Sequence, residues 1–122
     1  MENKLKIVFA GSPKSSSTIL QSLIDNDNVE VPYVISQEPK RAKRGNKLLP
    51  TEVAIKAIEN GISLLEPRSL DDIKESMTGF DFDFLLVAAY GKILPDWMLS
   101  APVYEPINVH YSILPKHLSL IH

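Results

Sequence analysis

Apolar residues in this chain follow two rhythms, short unbroken runs and stripes spaced three and four apart, and the two alternate. Leu5 to Ala10 is a continuous run after a lysine-containing start. Such runs read as strands buried on both faces, as in parallel sheets. Gly11-Ser12-Pro13 breaks it. Ser15, Ser16 and Ser17 then offer helix N-caps, and Ile19, Leu20, Leu23 and Ile24 form one helical stripe that Asp25-Asn26-Asp27-Asn28 ends. Val29 to Ile35 predicts a second strand, with Pro32 marking an edge position or an irregularity. The polar stretch that follows contains Pro39 and Gly45 and predicts a loop. Pro50-Thr51-Glu52 opens a helix carrying Val53, Ile55, Ala57 and Ile58, and Asn60-Gly61 stops it.

Ile62 to Leu65 predicts a short strand, and Leu70, Ile73 and Met77 have helical spacing up to Gly79. Phe84 to Ala89 is another fully apolar strand, turned at Tyr90-Gly91. Pro95 suits the first position of a short helix running to about Ser100. Ile107 to His110 predicts a last strand. Strands alternating with helices at this spacing give an α/β fold with a mostly parallel sheet.

Composition narrows the class. A length of 122 residues suits one domain, and 44% hydrophobic with 23% charged residues is the balance of a soluble globular chain rather than a disordered one. The absence of cysteine excludes a disulfide framework, a thiolate metal site and a cysteine nucleophile, and it fits a reducing cytoplasm. The apolar run before Gly11 is too short for a signal peptide or a membrane span. A net charge of −2 argues against wholesale nucleic-acid binding, yet Lys40, Arg41, Lys43, Arg44 and Lys47 concentrate positive charge in one stretch. Such a stretch is commonly a solvated loop, and its clustering beside glycine also suits phosphate contact.

Ligands of open α/β sheets bind beyond the carboxyl ends of the strands. Three such ends stand out: Gly11-Ser12-Pro13, Tyr90-Gly91 and Asn108 to His110. Alternation along the last strand sets Ile107 and Val109 on one face and Asn108 with His110 on the other. An amide donor beside an imidazole suits stabilisation of a developing oxyanion together with proton transfer. On spacing alone, a polar strand end facing solvent is the commoner explanation. Gly11-Ser12-Pro13 lacks a dinucleotide fingerprint and reads as a plain strand-to-helix turn. Tyr90 reads as a packed ring with a wet hydroxyl. His117 and His122 have no metal-ligand spacing.

These pieces together resemble one family. Ile7-Val8-Phe9-Ala10-Gly11-Ser12-Pro13 is similar to the opening F-A-G-[ST]-P strand and turn of methionyl-tRNA formyltransferases. Arg44-Gly45-Asn46-Lys47-Leu48-Leu49-Pro50 is similar to their G-R-G-x-K-x-x-P loop. Val87-Ala88-Ala89-Tyr90-Gly91-Lys92-Ile93-Leu94-Pro95 resembles V-A-A-Y-G-x-I-L-P. Ile107-Asn108-Val109-His110 with Ser112-Ile113-Leu114-Pro115 resembles I-N-V-H-x-S-L-L-P. The matches keep the family's order and spacing from about Lys6 to Lys116.

The resemblance implies a Rossmann-like N-terminal domain, incomplete at its C-terminal side, that binds 10-formyltetrahydrofolate as formyl donor and needs no metal. The formyl acceptor it implies is the methionine amine of initiator methionyl-tRNA, as in translation initiation. It implies that Asn108 and His110 are two of three catalytic residues. It implies a folate pocket drawn from Ala89, Tyr90, Gly91, Ile93, Leu94, Pro95, Ser112, Leu114 and Pro115, through backbone and apolar contacts. The basic stretch corresponds to a tRNA acceptor-end loop, which related formyltransferases acting on other amines lack. The chain also departs from the pattern. The family's catalytic aspartate falls beyond His122, and its R-G-A-x-P-I stretch is replaced by Leu118-Ser119-Leu120-Ile121-His122. Tyr111 stands where a small residue is usual, and Lys14-Ser15 where an acidic residue and phenylalanine are frequent. The C-terminal tRNA-binding domain is likewise absent from the 122 residues. The expectation is therefore a truncated chain, inactive alone, prone to non-specific self-association. The alternatives are a folate- or RNA-binding module without catalysis, a non-functional fragment, or a formyltransferase for another amine.

Overall fold

The computed structural model describes residues 3–42, 45 and 47–109. Strand β1 (Leu5–Gly11) leads into helix α1 (Lys14–Ile24), which returns the chain to β2 (Val29–Glu30) and β3 (Tyr33–Ile35). A ribbon of β4 (Lys40–Arg41) and β5 (Leu48–Leu49) precedes α2 (Glu52–Glu59) and β6 (Ser63–Leu65). A 3₁₀ turn over Leu70–Ile73 runs into α3 (Lys74–Thr78). Strand β7 (Phe84–Ala88), helix α4 (Asp96–Leu99) and β8 (Glu105–Val109) complete the described chain.

The main sheet has the order β6-β3-β1-β7-β8, with β2 extending the β3 side along β1, and every pairing in it is parallel. Alternation along the strands feeds two cores. Val8, Ala10, Ile35 and Leu85 pack under Leu70, Ile73, Met77 and Met98. Phe9, Val34 and Ala88 pack on the opposite face against Leu20 of α1 and Val53 and Ala57 of α2. Complete burial of a side chain such as Leu20 or Phe9 is worth about 1.5–3 kcal/mol, and these contacts hold the two layers on the sheet.

Local chemistry explains where elements start, and it corrects four sequence expectations. The serines do not cap α1. The N-cap position falls on Pro13, extended and with no side-chain acceptor, while Ser16 lies inside the first turn, buried, and its hydroxyl donates to the Ala88 carbonyl. The basic stretch is not simply a loop. Its two ends pair as an antiparallel ribbon, Lys40 opposite Leu49 and Arg41 opposite Leu48, and Ala42 N–H donates to Lys47 O at 2.8 Å. Pro95 lies just before α4 rather than at its first position, and β8 begins two residues earlier than Ile107. Other starts follow expectation: the Thr51 hydroxyl accepts from Ala54 N–H at 3.0 Å and caps α2, a contact worth about 1 kcal/mol.

Pro32 produces an irregularity and not an edge. Lys6 lies opposite Glu30, whereas Phe9 lies opposite Val34, so one extra residue is taken up between β2 and β3. Strand β3 remains interior, between β6 and β1.

Candidate active site

Because β1, β7 and β8 are parallel, their carboxyl ends open on one side. Gly11 is level with Ala88, and Ala88 with Val109. The approach at the first pair is close: a Cβ on Gly11 would lie 2.7 Å from Ala88 O and 3.0 Å from Ser16 Cβ, so glycine is required by packing. Asn108 pairs with Val87 and therefore shares its face of the sheet, one residue below this rim.

Beyond β7 the backbone reverses through Ala89 (φ 55°) and Gly91 (φ 94°). A left-handed alanine costs on the order of 1 kcal/mol and persists only where its surroundings fix it. Here the fixing is visible. Gln37 Nε2 donates to the Tyr90 carbonyl at 2.7 Å, and Ser12 Oγ donates to the same oxygen at 3.4 Å. Lys92 turns away, its Nζ donating to Pro67 O at 3.3 Å and Arg68 O at 3.1 Å. The Tyr90 ring is 1% exposed within the core, and its hydroxyl is buried without a hydrogen-bond partner among the described residues. The expected wet hydroxyl is thus an enclosed one. Burial first, and then the Glu38 charge, pushes its pKa up to about 12. The phenol stays protonated near neutrality and is no acid–base group there.

Two clefts flank this loop. One, of about 470 Å³, lies between Ala89–Tyr90–Gly91 and the ribbon side, where Gln37, Lys40, Leu49 and Pro50 form its wall. The other, of about 550 Å³, is bounded by Gly91, Ile93, Asn108 and Val109. Through Val87, Lys92 and Asn108 it adjoins a slot of about 340 Å³ walled by Leu94, Leu99, Pro106 and Ile107. The slot is mostly apolar, with the Asn108 amide and Lys92 among its lining residues. Ile93 is almost wholly exposed at 95%. Pro95 stands at the N-cap position of α4, where the same loop ends.

The structure therefore brings Ala89, Tyr90, Gly91, Ile93, Leu94 and Asn108 together, and sets Lys40 across the first cleft. Arg41 and Lys47 are exposed on the ribbon. His110, Ser112, Leu114, Pro115, Lys43 and Arg44 lie outside the described residues. Sequence reading gave no role to Gln37 or Lys92, took Ser16 for a helix cap and took Ser12 for part of a plain turn. Their roles depend on main-chain carbonyls that only the fold brings near. Among the described residues no group of three His, Cys, Asp or Glu side chains could hold a metal, and no helix is long and apolar enough to cross a membrane.

The formyl transferase family model matches residues 5–120. This chain belongs to the formyl transferase family. Among similar curated formyl transferases, the methionyl-tRNA formyltransferase of Mycoplasma capricolum subsp. capricolum is 38% identical over 116 residues, covering 95% of this chain and 37% of that protein. The methionyl-tRNA formyltransferase of Finegoldia magna is 41% identical over 116 residues, covering 93% and 37%. The chain thus spans little more than a third of these relatives. Glycinamide ribonucleotide transformylase 1 of Symbiobacterium toebii superposes with a TM-score of 0.61 at 22% identity, over 93% of this chain and 54% of that one. The phosphoribosylglycinamide formyltransferase of Coxiella burnetii gives 0.60 at 20%, over 96% and 56%. At these identities the likeness establishes the Rossmann-like formyl transferase fold, of which this chain covers about half of each neighbour.

Proposed function

We propose that this chain supplies the donor-binding part of a cytoplasmic methionyl-tRNA formyltransferase, with 10-formyltetrahydrofolate as formyl donor and initiator methionyl-tRNA as acceptor. The observation that carries the reading is the placement of two unlike clefts on either side of one strand-end loop. The apolar slot, with Asn108 at its rim, suits the ring system of a folate. The cleft on the other side is walled by Lys40 of the basic ribbon, which suits a phosphate-bearing acceptor. The similarity to proteins named methionyl-tRNA formyltransferase favours that acceptor over a small-molecule amine.

A bound 10-formyltetrahydrofolate supplies an electrophilic formyl carbon attached to nitrogen. Transfer joins the acceptor amine to that carbon, breaks the carbon–N10 bond, and moves one proton from the amine to N10. Asn108, at the rim, donates a hydrogen bond to the formyl oxygen as negative charge grows there. His110, matched by resemblance, shares that task and carries the proton. The ribbon orients the acceptor, and Ala89 to Leu94 shape the donor side through backbone and apolar surface.

The test is Asn108→Ala in a preparation that carries these residues and is competent for transfer. Loss of one oxyanion donor lowers kcat by about 10²–10³, with little change in reduced-folate affinity. An unchanged kcat would remove Asn108 from the mechanism. Preference for a small amine over methionyl-tRNA would reassign the acceptor.

A further inference from the structure

We infer that Gln37 is a positioning residue for the β7–α4 loop, and that through it the basic ribbon and the donor-side loop are mechanically joined. The inference rests on the donor-pocket reading for what the loop is held to do. Its structural part stands independently.

Gln37 follows β3 and begins the segment that becomes the ribbon. Its side chain spans the first cleft and donates from Nε2 to the Tyr90 carbonyl at 2.7 Å. Its own N–H donates to Ser12 Oγ at 3.3 Å, and Ser12 Oγ donates onward to Tyr90 O at 3.4 Å. One carbonyl is thus gripped directly and through a relay, both from Gln37. The grip sits between the two left-handed residues, Ala89 and Gly91. Gly91 records the closeness: a Cβ there would fall 2.2 Å from Gln37 Nε2. The ribbon is anchored at the same place. The hydroxyls of Ser36 and Thr51, one residue outside each end of the Gln37–Pro50 segment, hydrogen-bond to each other. Displacement of the ribbon at its root therefore moves the donor of the Tyr90 clamp. A ligand on the ribbon and a ligand in the slot then act on one shared contact, and each alters the other's affinity.

Amide hydrogen exchange on the 122-residue chain, with and without 5-formyltetrahydrofolate, tests this using Gln37→Ala and the near-isosteric Gln37→Glu. The ionised carboxylate that Gln37→Glu introduces accepts hydrogen bonds but cannot donate one to a carbonyl. Loss of one hydrogen bond of this kind is expected to speed exchange at the amides of residues 90–93 about tenfold, with β1 and β7 unchanged. Both variants should do so, and both should weaken folate binding by a similar factor. Unchanged loop exchange in either variant would overturn the clamp. So would general acceleration across β1 and β7, which would mark Gln37 as a plain stability residue. Faster loop exchange with no folate binding by the parent chain would uphold the clamp and refute the donor-pocket reading.

Discussion

Gly11 faces the carbonyl of Ala88 so closely that a methyl group added to Gly11 would lie 2.7 Å from that oxygen. The neighbour is backbone in a central strand and cannot swing aside. Gly11→Ala is therefore expected to cost about 1–3 kcal/mol, the usual range for overpacking. Urea unfolding should show a lower midpoint with an unchanged slope. A midpoint equal to the parent's would mean that β1 and β7 separate more easily than their register implies.

Tyr90 gives the chain an alkaline signature. Its phenol is pushed up to about 12 by burial and then by the Glu38 charge, against an ordinary value of 10.0. Below about pH 10 the phenol is neutral in both folded and unfolded states, and its contribution is fully present. Between about pH 10 and 12 the unfolded chain ionises first, so stability falls across that window. Tyr90→Phe should flatten the fall. It also deletes a buried hydroxyl without a partner among the described residues, so it should leave stability at pH 7 equal or higher. Chemical denaturation at pH 7, 10 and 11.5 checks both points, and a marked loss at pH 7 would show that the hydroxyl is satisfied.

Lys40 stands on the ribbon wall of the first cleft. If the ribbon touches RNA phosphate, Lys40→Ala should weaken binding to a tRNA acceptor stem. The logarithmic salt slope should fall by about 0.7–0.9 for each phosphate that is no longer neutralised. Fluorescence anisotropy over a salt series measures this. Equal slopes would return Lys40 to an ordinary solvated side chain.

Strand β8 ends the sheet order among the described residues, and it carries exposed apolar groups: Ile107 is 40% exposed, and Val103 and Tyr104 just before it 56% and 65%. A strand edge with such groups is an association hazard. A polypeptide of these 122 residues is expected to bind a hydrophobic dye and to scatter light increasingly with concentration. It is also expected to give negligible formyl transfer in single turnover, since the family's catalytic aspartate is not among them. A dye-negative monomer with a cooperative transition above about 60 °C would contradict the first expectation. Transfer within about tenfold of a longer relative would contradict the second, given the 10²–10⁴ that a general acid–base group contributes.

Much of the fold was legible because burial writes itself into sequence. Val8 to Ala10 and Leu85 are apolar in unbroken runs, since both faces of a central parallel strand are covered. Leu20 and Val53 kept helical spacing for the same reason. The ribbon was less legible, because Lys40, Arg41, Leu48 and Leu49 are all exposed and carry no burial rhythm. The face that Asn108 takes in β8, level with Val87, was legible through alternation, whereas its role was read only from the family resemblance. Gln37, Ser12, Ser16 and Lys92 were not, because each answers to a main-chain carbonyl, and a carbonyl leaves no letter in the sequence.

The additional residue near Pro32 acts as a phase setting for the far end of its strand. With it, the offset along β1 that pairs Phe9 with Val34 continues to Ser12 and Gln37, whose groups meet at 3.3 Å. Were the same residues paired in the unbroken register of Lys6 with Glu30, Ser36 would arrive at that level, and every side chain from Tyr33 onward would change faces. The geometry of the mouth is thus tuned from the opposite end of the sheet. A one-residue slip of register at 31–32 would rewrite the cleft more thoroughly than many substitutions inside it.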